Sequence, residues 1–319
     1  MKYNSHAMGT ILLCSHLALK ENDSIKPFTL GEWYRFLKQL NDSKKDISII
    51  LDANREKLLK DIGLDSNVIH RICSLIERGG AVALELDSLS RKGIEIVTIF
   101  DKEYPILIKK RLKKKSPPLF YYAGDIRLCN KIGIAVVGAR DIDEEGIEFT
   151  KKLVEKASRE HLVIYSGGAK GVDSISEKTA IKNGSAVVSF IAESLLAKIK
   201  KKEIIEAIQE QKFLLFSDVN PDVGFSSARA MSRNRYIYAA SYGAFAVSAQ
   251  YNKGGTWSGA VENIKNDWVK TFVWNHKAYI GNVKLIEKGG IAYELNDRKI
   301  YDLVTEKEKE TYTQMDLFH

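Results

Sequence analysis

The sequence predicts an α/β protein with a doubly wound, mostly parallel sheet, preceded by a small helical domain. Three observations carry that expectation. From about residue 131 onward, apolar runs of strand length alternate with amphipathic runs. Those strand runs are continuously apolar, the pattern of strands buried on both faces. The first 98 residues instead place apolar side chains at helical spacing and offer few candidate strands.

In the N-terminal domain (1–98), "LGEWYRFLKQL" puts Leu30, Trp33, Tyr34, Leu37 and Leu40 at helical spacing. "DANREKLLKDIGLDSNVIHRICSLIERGG" predicts two more helices, broken at Gly63 and stopped at Gly79–Gly80. The main domain spans 99–280. Its expected strands are 132–138, 162–166, 186–191, 213–219, 244–250 and 271–275, with helices over 144–159, 173–182 and 201–211 between the earlier ones. Such alternation points to a Rossmann-like sheet. In the extension 281–319, "NVKLIEKGGIAYELND" is expected to form a hairpin and "TEKEKETYTQMDLFH" a polar tail.

Of 319 residues, 45% are hydrophobic, enough for a sizeable core. A net charge of +8 favours anionic partners such as nucleic acid or nucleotides. Cys14, Cys73 and Cys129 have the spacing of neither a metal site nor a redox pair, and their odd count argues against a disulfide framework. They read as buried thiols of a reducing compartment. No apolar run reaches the ~18 residues of a membrane span. "TILLCSHLAL" is short and lacks the basic leader and cleavage site of a signal peptide. The expectation is a cytoplasmic protein without membrane contact, metal or cofactor.

In such a sheet, ligands bind outside the carboxyl ends of the strands. Three loops there carry chemistry. "VVGARD" closes a strand at Gly138 and follows it with Arg140. "SGGAKGVD" supplies Ser166, Gly167, Gly168, Lys170 and Gly171. "AQYNKGGTWSGA" supplies Lys253, Gly254, Gly255 and Thr256. Glycine lets an anion approach the main chain, and a helix N-terminus adds unpaired N–H groups with partial positive charge. Glycines with a lysine before a helix therefore read as a phosphate cradle. The second loop is neither a Walker loop nor a clean Gly-x-Gly-x-x-Gly, and any one such loop alone could equally be a tight strand–helix turn. Between the second and third loops, "FSSARAMSRNRYIYAAS" crowds Arg229, Arg233 and Arg235 at the front of an apolar helix. The macrodipole disfavours cations there, so a compensating anion is expected.

"GIAVVGAR", "YSGGAKGVD", "SRNRYIYAAS" and "KGGTWSGA" stand in the order and spacing of the DprA/Smf family, the DNA-processing protein A group. The chain resembles that family over roughly residues 85–275, including its lead-in, "LSRKGIEIVTIFDKEYPILIKKRLKKKSPPLFYYAGD". The resemblance implies a Rossmann-like domain that binds single-stranded DNA, helps load the recombinase RecA and forms a homodimer. It implies that Gly138, Arg140, Ser166, Gly167, Gly168, Lys170, Gly171, Arg233, Asn234, Arg235, Lys253, Gly254, Gly255 and Thr256 make the DNA site. No covalent step is implied: Arg140, Lys170, Arg233 and Arg235 neutralise phosphates while the glycine loops donate N–H groups. The chain departs from the pattern in three places. "GVDSISEKTA" lacks the family's histidine, "KGGTW" replaces Ser-Gly-Ser/Thr, and the residues after 280 are too few for the usual winged helix.

Tyr236, Tyr238, Tyr251 and Trp257 lie near these motifs and could stack on bases, although packing is the ordinary fate of each. "KKRLKKK" (109–115) reads either as a phosphate contact or as a solvated basic linker. A rival reading comes from the LOG-type nucleotide phosphoribohydrolases, whose motifs "MSRNR" and "KGGTWSGAVE" resemble. There Arg235 would orient a nucleotide phosphate and Glu262 would help break an N-glycosidic bond. One glycine of that pattern is missing and Glu262 falls one residue late, a misplacement that catalysis tolerates poorly. A nucleotide sensor without chemistry belongs to the same alternative. Finally, Gln314, Met315, Asp316, Leu317 and Phe318 are similar to the bacterial sliding-clamp-binding peptide, in which a partner groove would bury Leu317 and Phe318. The competing expectation is a tail folded back on its own domain.

Overall fold

The computed structural model describes residues 3–20 and 22–306. The chain clusters into two compact units, each drawn from separate stretches of sequence. The first unit holds the chain up to Tyr104 with Leu112–Ala123 and Ser217–Val223; the second holds Pro105–Arg111, Gly124–Phe216 and the chain from Gly224 onward.

The first unit contains helices α1 (Ser5–Cys14), α2 (Leu30–Asp42), α3 (Arg55–Asp61), α4 (Ser66–Glu77) and α5 (Gly79–Arg91). An antiparallel pair, β1 (Glu95–Thr98) and β2 (Leu119–Gly124), joins them. The start of α2 is fixed by a capping box, in which Thr29 and Glu32 satisfy each other's backbone N–H groups. Trp33, Phe36 and Leu40 form its buried stripe, whereas Leu30, expected on that face, is exposed. Arg71 Nη1 meets Glu32 at 2.7 Å and holds its carboxyl down at about 2. The helix expected to stop at Gly79–Gly80 ends earlier, at Glu77, and the two glycines open α5 instead. The Arg78 guanidinium between the two helices donates to the carbonyls of Leu12, Ser15 and Leu17, the groups left unpaired at the end of α1. Among the cysteines, Cys73 and Cys129 are buried and Cys14 is half-buried.

The second unit is the expected α/β layer structure. Its strands are β3 (Gly133–Val137), β4 (Val163–Ser166), β5 (Val187–Phe190), β6 (Phe213–Ser217), β7 (Gly243–Ala246), β8 (Thr271–Trp274) and β9 (Ile291–Tyr293). They lie in the order β6-β5-β4-β3-β7-β8-β9, all parallel. The helices are α6 (Ile106–Leu112), α7 (Glu144–Arg159), α8 (Val172–Lys182), α9 (Leu195–Lys198), α10 (Lys202–Gln209), α11 (Ser227–Ala240), α12 (Gly254–Asn266) and α13 (Ile280–Glu287). Every residue of β3 to β7 is buried, which is why these strands read as unbroken apolar runs. The order reverses between β3 and β7, the switch point at which such sheets open a crevice.

The expected hairpin after 281 is a correction. "IGNVKLIE" is α13, and Ile291–Tyr293 adds a parallel strand beside β8. Gly289, at φ +108°, ends the helix, and the Gly290 N–H returns to the Leu285 carbonyl at 2.9 Å. Fully buried Asn282 bonds the Val247 carbonyl (2.8 Å), the Trp274 carbonyl (3.0 Å) and the Ala249 N–H (2.9 Å), tying α13 to the exits of β7 and β8. Arg111, in the basic run 109–115, donates to the carbonyls of Ala239 and Ser241 at the end of α11. Among the described residues, no helix is long and apolar enough to cross a membrane. Gln314, Leu317 and Phe318 lie outside the described residues.

Candidate functional site

A cleft of about 440 Å³ opens at the switch point. Gly138 and Arg140 line it from the loop after β3, Arg233 and Asn234 from α11, and Lys253, Gly254, Gly255 and Thr256 from the loop after β7. The first and third predicted loops and the arginine helix therefore converge, as the spacing in sequence suggested.

The two helices at the cleft approach closely because their contact positions are small. A Cβ on Gly255 would come within 2.7 Å of Asn234 Nδ2, and one on Gly259 within 2.9 Å of the Tyr238 ring. Asn234 uses its place to donate to the Gly255 carbonyl at 3.1 Å. Neither Ser226 nor Lys253 caps its helix with a side-chain bond, so the first N–H groups of α11 and α12 have no side-chain acceptor at the cleft. Those amides and the helix dipoles favour an anion. Lys253 and Arg140 are both exposed, and the Arg140 guanidinium stands 5.2 Å from the Phe225 ring centroid. Phe225 and Met231 are large apolar side chains left open, at 53% and 52% exposure.

The second loop differs from the expected phosphate cradle. The Gly168 N–H donates to Glu177 Oε1 at 3.0 Å and the Ala169 N–H to Asp173 Oδ2 at 3.3 Å. Its anion-binding amides are thus taken by the chain's own carboxylates. Burial pushes both carboxyls up from their ordinary range, opposed by Arg233 at Asp173 and by Lys198 at Glu177. The Arg233 guanidinium fills the space where a Gly167 side chain would be, with Nη1 1.5 Å from an ideal Cβ. It faces Asp173 at 3.9 Å and is only 5% exposed. Burial lowers the Arg233 pKa, and the two carboxylates oppose that shift.

Several of the predicted residues lie outside the lining of this cleft. Ser166, the last residue of β4, is fully buried and does not line the cleft. Lys170 is exposed on the flank of the second loop, outside the cleft lining. Arg235 pairs with Glu262 at 3.7 Å, and neither lines the cleft. Residues two apart on a helix point about 200° apart, so Arg233 and Arg235 cannot share a face. Tyr236, Tyr238 and Trp257 are buried; Tyr251 is exposed and meets Trp257 edge-on. Asp173, Glu177 and Lys198, which anchor the second loop, were not singled out from sequence. Their only signal was two carboxylates one helical turn apart directly after the glycines.

Comparison with known proteins agrees with this fold. The family model for DNA recombination-mediator protein A matches residues 95–304. The DNA processing protein DprA of Streptococcus pneumoniae is 27% identical over 140 residues, which is 44% of this chain and 49% of that protein. DprA of Bacillus subtilis is 27% identical over 172 residues, 53% of this chain and 57% of that protein. The chain thus spans about half the length of the curated relatives it matches. The X-ray structure of S. pneumoniae DprA superposes with a TM-score of 0.66 at 20% identity, covering 92% of this chain and 95% of that one. Helicobacter pylori DprA gives a TM-score of 0.54 at 24% identity, covering 68% of this chain and 96% of that one. The switch-point cleft, the ordered motifs and a family match over well over half of the sequence lead to one assignment: the chain belongs to the DNA recombination-mediator protein A family.

Proposed function

We propose that the chain binds single-stranded DNA at the switch-point cleft, without a covalent step. The observation that carries this reading is the convergence of exposed Arg140 and Lys253 with the uncapped N-termini of α11 and α12 on one cleft. Phosphates are neutralised by the two cations and accept N–H groups from the helix ends, while Lys170 adds charge from the neighbouring loop. Open apolar surface at Phe225 and Met231 suits unstacked bases, which duplex DNA does not offer. The H. pylori relative is described as having a single-stranded DNA binding mode, which supports the same reading. Mutual pairing of Arg235 and Glu262 outside the cleft favours binding over glycosidic hydrolysis. Loading of RecA, homodimer formation and docking of the C-terminal Gln314–Phe318 segment on a sliding clamp complete the proposal as further steps.

The test is a fluorescence anisotropy titration with a labelled poly-dT strand at two salt concentrations, with AMP and duplex DNA as competitors. Binding whose logarithm falls by about 0.7 per phosphate contact with log salt, and which AMP and duplex leave intact, is the expected result. Absence of strand binding, or displacement by micromolar AMP, moves the cleft to the nucleotide reading. A peptide of residues 311–319 that fails to bind the clamp at high micromolar concentration removes that partner.

A further inference from the structure

We infer that Glu177 and Lys198 are positioning residues for strand binding, which act through the two peptides that meet at Gly168 and never touch the strand. This rests on the binding reading above. Glu177 Oε1 accepts the Gly168 N–H at 3.0 Å, and Lys198 Nζ donates to the Gly168 carbonyl at 3.2 Å. The two peptides that meet at Gly168 are therefore held by opposite charges, the 167–168 N–H by Glu177 and the 168–169 carbonyl by Lys198. Each holder is itself held: Ser189 Oγ donates to Glu177 at 2.8 Å, and Lys198 Nζ bonds Glu193 at 2.7 Å. Glu177 and Lys198 are each 7% exposed, so no strand can reach them where they stand.

Burying a carboxylate and an ammonium is a poor device for stability, since apolar residues of similar volume often serve as well or better. What the two side chains supply is direction, because they fix the peptide planes on either side of Gly168, whose φ and ψ would otherwise turn freely. The consequence reaches the cleft through Gly171. The space beside Gly171 is closed by the carbonyls of Ala139 and Arg140, at 2.3 and 2.5 Å from an ideal Cβ. The Val172 N–H donates to the Ala139 carbonyl at 3.2 Å. A second loop that rotates or lifts must push against Ala139–Arg140, which carries the exposed guanidinium of the cleft. The pair thus holds Arg140 in register with α12.

The experiment uses the full chain, with strand affinity at two salt concentrations and thermal unfolding measured on the same variants. Lys198→Met and Glu177→Ala are expected to weaken poly-dT binding about tenfold, the order of one lost charge-assisted phosphate contact. Their salt slope should fall by about 0.7, one contact fewer. Lys198→Arg and Glu177→Gln, which keep a donor for the Gly168 carbonyl and an acceptor for the Gly168 N–H, should stay within about threefold of the original chain. Ser189→Ala leaves every charge in place and loosens Glu177 alone. It keeps the test open if Lys198→Met does not fold, and about a threefold loss is expected. Unchanged affinity and slope in folded variants, with only a lower unfolding temperature, overturns the positioning role and leaves strand binding intact. An original chain that binds no strand overturns the proposed function and this inference together.

Discussion

Arg233 and Arg140 read alike in the sequence, yet one is buried and the other exposed, and under the proposed function substituting each should have a different effect. Arg233 is 5% exposed and faces the buried Asp173 carboxylate at 3.9 Å. Arg233→Ala leaves that carboxylate without its cation and opens a hole beside Gly167. Breaking a buried pair from one side costs about 3–5 kcal/mol. At a urea m-value of about 2 kcal/mol/M, that moves the unfolding midpoint down by about 1.5–2.5 M. Arg140 is exposed, so Arg140→Ala should change stability by less than about 0.5 kcal/mol while weakening strand binding about tenfold. Urea melts and anisotropy titrations on both variants decide the matter. Adding Asp173→Asn to Arg233→Ala should return part of the lost stability, because the orphaned charge is gone. If Arg233→Ala melts at the original midpoint and loses only affinity, Arg233 is a phosphate ligand and its assignment as a buried support is wrong.

Three further outcomes follow from the geometry. Gly171→Ala should destabilise the fold by at least about 1–3 kcal/mol in urea melts, since φ +73° with ψ −130° is a region for glycine alone and the new Cβ meets the Ala139 carbonyl. Lys170→Glu should weaken strand binding at low salt but not at high salt, with an unchanged melt, because the side chain is exposed and acts over a screened distance. Glu32 is held at about 2 from an ordinary 4.5, mainly by its hydrogen bond to Arg71. Its folded pKa is depressed, so the stability it contributes is present above about pH 4.5 and lost as pH falls toward about 2. At 31% side-chain exposure, solvent screening reduces the contribution to about 1–2 kcal/mol. Glu32→Gln should cost that much at pH 7 and nothing near pH 2, read from melts across that range.

Much of the second unit was legible because a parallel sheet buries whole strands, and whole apolar runs such as Ile134–Val137 stand out from any single sequence. The segment after 281 was misread because "NVKLIEKGGIAYELND" is too short for periodicity to separate a helix from a strand pair. Only packing against the exits of β7 and β8, through Asn282, selects the helix. At the site, glycines before helices marked three loops that each contribute to the cleft lining, through Arg140, Ala169 and Lys253. They did not say which amides remain free, since that depends on where Asp173 and Glu177 point.

By itself, then, the sequence determined the layer architecture, the converging loops and the family's motifs, because these depend on local pattern and on spacing along the chain. Tertiary structure alone decided which cations of the cleft are buried and which are exposed. Burial, helix phase and the location of opposing carboxylates are set by residues distant in sequence. They bury Arg233 against Asp173, turn Arg235 aside to Glu262, and leave Arg140 and Lys253 exposed at the cleft.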